Sequence, residues 1–127
     1  MNFKNNLTEA LNIRFPLVMA PMFLVTTVPM VKEAVSAGIL GCFPSLNFRN
    51  EGELEGVLDD LNNFMAGRSG QQGNYGVNII VQKANPWSQK HLAICLSKKV
   101  PVFITSLGNP EETIKGAHAY GGKVFCD

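Results

Sequence analysis

Short apolar runs alternate with amphipathic stretches along the whole chain, and this alternation restricts the fold more than any single motif. Leu17-Val18-Met19-Ala20, set between Pro16 and Pro21, reads as a buried strand. Val28, Val31, Ala34 and Val35 follow at helical spacing; Pro29 falls where a first turn tolerates it, and Gly38 supplies a stop. Ile39 to Phe43 reads as the second strand. Glu51 to Met65 places Leu54, Val57, Leu58, Leu61 and Met65 on one face and acids on the other, the pattern of an amphipathic helix. The stretch from Gly67 to Asn74 is a loop by composition, and Tyr75 to Val81 is the third strand. A helix opening near Pro86 carries Trp87, Leu92, Ile94, Cys95 and Leu96 and closes on Lys98-Lys99, whose cations suit a helix C-terminus. Val100 to Ser106 is the fourth strand. Asn109-Pro110-Glu111-Glu112 has the order of an N-cap, a first-turn proline and first-turn acids. Gly121-Gly122 stops that helix, and Lys123 to Asp127 begins a fifth strand.

Repeated strand–helix order implies an α/β fold with a parallel sheet and right-handed crossovers. Two closures satisfy it: an open doubly wound sheet, or an eight-stranded barrel. The dinucleotide fingerprint GxGxxG follows none of the strands, which counts against the nucleotide-binding open sheet. A complete (β/α)8 barrel takes roughly 250 residues, and this chain has 127. The expected architecture is the N-terminal half of a (β/α)8 TIM barrel, about five strands over residues 1–127, as a fragment of a longer single-domain barrel. The alternative is a compact open-sheet domain with Cys126 near a natural terminus.

Composition removes several function classes. Lys and Arg number 11 against 10 Asp and Glu, a formal net charge of +1, so no basic excess is available to condense on nucleic acid. The longest apolar runs fall far short of the ~20 residues that span a bilayer, and the chain opens with no secretory signal. Neither nucleic acid nor membrane is an expected partner. Cys42, Cys95 and Cys126 form no CxxC pair and no metal-ligand spacing, so no metal site is expected. An odd cysteine count without an export signal points to a reducing, cytoplasmic setting.

Four segments resemble a known family in the right order. Phe15-Pro16-Leu17-Val18-Met19-Ala20-Pro21-Met22 is similar to the first strand of the FMN-dependent nitronate monooxygenases, formerly called 2-nitropropane dioxygenases. Ala34 to Gly41 resembles their passage into the second strand, Tyr75-Gly76-Val77-Asn78-Ile79-Ile80-Val81 their third strand, and Lys99 to Gly108 their fourth. The wider superfamily includes a flavin-dependent enoyl-acyl-carrier-protein reductase and, more distantly, IMP dehydrogenase. The resemblance implies a barrel with FMN at the C-terminal ends of the strands, where active sites of this fold lie. Carried over by position, Ala20, Pro21 and Met22 would lie beside the flavin ring, Asn78 would hydrogen-bond FMN, and Ser106 is a further candidate. The substrate implied is a small nitronate-like molecule. The family's catalytic His, in a Gly-His-Ala-Gly type segment, and its Gly-rich phosphate grip are absent from this sequence. The expectation is an FMN-dependent oxidoreductase as parent, with the 127-residue chain itself inactive and binding FMN poorly. The alternatives are the flavin-dependent enoyl reductase, or a non-catalytic half barrel that self-associates as a homo-oligomer through its open edges.

The remaining chemistry-bearing side chains read as structural. His91, flanked by Gln89 and Lys90, is expected on the solvated surface, and His118 on an outer helix away from the site. Cys42 is expected as a buried, inert thiol, and Cys95 and Cys126 as core or half-buried positions. Polar neighbours Gln82 and Asn85 leave Lys83 without the dry pocket a Schiff-base lysine needs. The acids of Glu51 to Asp60 read as one solvated helix face.

Overall fold

The computed structural model describes residues 2–127. Its elements are α1 (Asn6–Leu11), β1 (Val18–Met19), α2 (Val28–Ser36), β2 (Leu40–Pro44), a 3-10 turn (Ser45–Asn47), α3 (Glu53–Ala66), β3 (Asn74–Ile80), α4 (Ser88–Ser97), β4 (Val102–Ser106), α5 (Glu111–His118) and β5 (Lys123–Cys126). All five strands pair in parallel, in the order β1-β2-β3-β4-β5. An open doubly wound sheet reverses its strand order at a switch point. This sheet never reverses, so each strand–helix unit adds to the same growing edge, as in a barrel wall. The fold is α/β, half of a TIM barrel.

The register sorts side chains onto two faces. Leu40 pairs with Val18 and with Asn74, Phe43 with Val77, and Val77 with Phe103. Period-two alternation then sends Phe43, Tyr75, Val77, Ile79 and Phe103 toward the helices. There they pack with Val31, Val35, Leu54, Leu58, Leu61, Leu92 and Cys95 in the main core. The opposite face carries Leu40, Cys42, Val102 and Ile104, and α1 with the segment just after it covers the N-terminal end of that face with Leu11 and Ile13. The sequence reading did not place this plug, although Asn5 and Thr8 form a reciprocal capping box at its start.

Local signals act as their chemistry dictates. Thr27 caps α2 by accepting from the Met30 N–H at 3.3 Å, and Gly38 leaves the helix at φ 84°. Gly73 has the least latitude. Its N–H donates to the Asn12 carbonyl at 2.9 Å, its φ is 135°, and a Cβ there would lie 2.0 Å from the Val35 carbonyl oxygen. Only glycine fits where α1, α2 and β3 converge. The acids of α3 are not all free on the surface. Asp60 pairs with Lys32 at 2.8 Å and Asp59 with Lys98 at 2.6 Å, exposed bridges that contribute little to stability.

Two expectations need correcting. β1 has two residues rather than four and is not buried: Leu17 is 60% and Val18 47% exposed. It pairs on one side only, so the side chains a closed barrel covers stay open here. The cap of α5 is shifted by one residue. Pro110 occupies the N-cap, and the Asn109 side chain reaches over it to accept from the Glu111 N–H at 3.0 Å.

Candidate functional site

The uncovered part of the inner face lies at the C-terminal ends of the strands, the end at which this fold places its chemistry. Asn78 stands there on β3, between Pro44 of β2 and Ile104 of β4. Its Nδ2 donates to the Ile104 carbonyl at 2.9 Å and to Ser106 Oγ at 2.9 Å. A carbonyl accepts only, so the amide is fixed with its nitrogen toward β4. Among the described residues no donor is bonded to Oδ1, which is left as a positioned acceptor on a half-buried side chain. Asn78 and Ser106 are thus brought together by the register.

Ala20, Pro21 and Met22 lie past the end of β1, with β2 between them and β3. Ala20 and Met22 are exposed and Pro21 half-buried. No hydrogen bond joins them to Asn78 or Ser106 among the described residues. Their loop is shaped by polar ties: the Met22 N–H donates to Thr26 Oγ1 at 2.9 Å, and the Leu24 N–H donates to Asn47 Oδ1 at 2.8 Å. Asn47 Nδ2 completes the clamp on the Thr26 carbonyl at 3.1 Å.

The histidines divide. His118 is exposed on α5, outside the sheet. His91 is not solvated as expected but 3% exposed, with Nδ1 3.0 Å from Ser45 Oγ and its ring stacked on Trp87 at 5.5 Å. Burial lowers its pKa; Glu55 opposes that shift and Lys90 adds to it. The spacing of Trp87, His91 and Cys95, one helical turn apart, was the available signal: His91 shares the buried stripe of α4. Asn47 was also missed, because a clamp between distant loops leaves no local pattern.

Cys42 and Cys95 are buried, and desolvation pushes both thiols up to about 12. They are inert at neutral pH. Cys126, by contrast, is exposed rather than half-buried, because it ends the edge strand β5. Lys83 is exposed on a cleft of about 510 Å³ between the loops after β3 and β4, shared with Gln82, Gln89 and Asn109. No cluster of three metal-ligating side chains occurs among the described residues, and no helix is long and apolar enough to cross a membrane.

Parallel units added in order, a plugged N-terminal end and an open C-terminal end with a fixed amide define the class: half of a (β/α)8 barrel. Among solved structures the chain is similar to FabK from Thermotoga maritima, with a TM-score of 0.79 and 26% identity over 97% of this chain and 37% of that one. A mutant of the same FabK gives a TM-score of 0.70 and 27% identity over 97% and 39% of the respective chains. The chain therefore spans about two fifths of the length of FabK. No family model matches the sequence, and no curated protein matches it.

Proposed function

We propose that this chain forms the flavin-ring side of an FMN-dependent oxidoreductase of the nitronate monooxygenase-like superfamily. The observation that carries the reading is Asn78 on the inner face, its amide fixed through Nδ2 and its Oδ1 without a protein donor among the described residues. A flavin ring needs apolar walls and a few oriented polar groups along its pyrimidine edge, and this surface offers both. Asn78 would accept from a ring N–H, Ser106 would hold the Asn78 amide in place, and Ala20, Pro21 and Met22 would wall the ring. Bound FMN would supply the electron acceptor; this chain would bind and orient it. Neither His91, buried against Ser45, nor His118, on the outer helix, is placed to move a proton there. The chain alone would accordingly not turn over.

Two substrates fit that reading. The sequence motifs resemble nitronate monooxygenase, which would act on alkyl nitronates with O2. The likeness to FabK, an FMN-dependent enoyl-acyl-carrier-protein reductase, supports a reductase as well. A third reading, a non-catalytic half barrel that self-associates, draws on the exposed Val18 and Phe125 of the two edge strands.

The test is a visible absorbance spectrum of the protein purified from its native source, followed by choice of reductant. Flavin absorbance reduced by an alkyl nitronate without nicotinamide selects the monooxygenase, and reduction by nicotinamide selects the reductase. A protein without flavin that associates with rising concentration overturns both in favour of the self-associating half barrel. Asn78→Ala is expected to weaken flavin retention roughly five- to tenfold, the worth of about 1 kcal/mol for one hydrogen bond. Unchanged occupancy after dialysis would remove Asn78 from the site.

A further inference from the structure

His91 and Ser45 form a buried polar pair that the flavin reading leaves without a role. Ser45 is fully buried and opens the 3-10 turn after β2; His91 reaches it from α4. Two residues beyond Ser45, the same turn presents Asn47, which holds the β1–α2 loop at both the Leu24 N–H and the Thr26 carbonyl. That loop needs holding. Met22, Phe23, Leu24 and Val25 are exposed apolar residues in succession, and Leu24 sits at φ 58°, a left-handed conformation that leucine adopts at a cost.

We propose that His91 and Ser45 are a pH-sensitive positioning latch: the seated neutral ring holds the 3-10 turn, and through Asn47 the β1–α2 loop, while protonation of the ring releases that loop. The consequence for a flavin beside Met22 rests on the proposed function; the latch itself is a property of this chain. In its seat the ring is stripped of water, so an imidazolium there loses its hydration. Two charges act on it from the packed elements, Glu55 on α3 favouring the proton and Lys90 on its own helix opposing it. The 3-10 turn and the residue after it face it with the uncharged Ser45 hydroxyl and Phe48 carbonyl. Burial, with Lys90 acting in the same direction, outweighs Glu55 and the Phe48 carbonyl and lowers the seated pKa from the ordinary 6.5. Between that lowered value and 6.5 the released ring binds a proton that the seated ring does not. The latch therefore has its full strength above 6.5 and weakens as pH falls through that window.

Amide hydrogen exchange on the whole chain, corrected for intrinsic rates, reads the loop at Leu24 and the sheet at Val77. Fluorescence of Trp87, the only tryptophan, reads the ring stacked on it. Between about pH 7.5 and about pH 5, Leu24 protection is expected to fall roughly tenfold with Val77 unchanged, alongside one Trp87 transition. His91→Asn keeps a polar partner for Ser45 that does not titrate. It is expected to hold Leu24 protection level across that range and to abolish the transition. Asn47→Ala is expected to remove Leu24 protection at both pH values and leave the transition in place. Equal Leu24 protection at both pH values in the unsubstituted chain overturns the latch. So does the same fall in His91→Asn, or a parallel fall at Val77. None of these readouts involves flavin, so they stand or fall separately from the proposed function.

Discussion

The two faces of the sheet are made by alternate residues of the same strands, yet they live in different environments. On the outer face Phe43 and Phe103 are at most 1% exposed beneath the helices. On the inner face Val18 is 47% and Phe125 41% exposed, while Leu40 and Val102, at the end plugged by α1, are as buried as the outer core. Burial thus follows what covers a position and not how apolar its residue is. The inner face divides again along the strand axis, into a sealed N-terminal end and an open C-terminal end that carries Asn78.

Three substitutions place that contrast on one scale of stability, each measured from urea midpoints on dilute protein. Phe103→Ala, beneath the helices, is expected to cost about 3–5 kcal/mol. Leu40→Ala, beneath the α1 plug, is expected to cost about 2–3 kcal/mol, because one short helix gives the cavity more room to relax. A Leu40 cost near zero would show that α1 does not seal that end. Val18→Thr, level with Leu40 but on the uncovered edge strand β1, is expected to stay within about 0.5 kcal/mol. A loss of 2 kcal/mol or more there, roughly what one fully buried valine is worth, would show the β1 edge covered in solution, as in the self-associating reading.

The fold was largely legible because the units that make it are local. The four main strands and the four long helices each announced themselves by period, proline and glycine, and the absence of GxGxxG already turned the argument from the open sheet. The register that sets Asn78 beside Ser106 was not legible, because it is fixed by pairing between β3 and β4 and not by either strand's own pattern. What escaped reading depends on partners far away in sequence. His91 was assigned to solvent from its neighbours Gln89 and Lys90, whereas its environment is set by Ser45, 46 residues earlier. Leu17 and Val18 look buried by composition and are exposed because β1 has a neighbour on one side only. Cys126 failed for the same reason at the opposite edge.

Gly73 carries a consequence for how relatives of this chain diverge. The residues just before it, Ser69 to Gln72, are exposed. Gly73 itself sits where a single added methyl group would strike the Val35 carbonyl. Insertions and deletions are therefore tolerated on one side of a peptide bond and substitution is refused on the other. In an alignment of related barrels the column at this position should read as invariant glycine directly after a stretch of ragged length. That abrupt change from drift to fixity offers a landmark for recognising distant kin that overall identity would pass over.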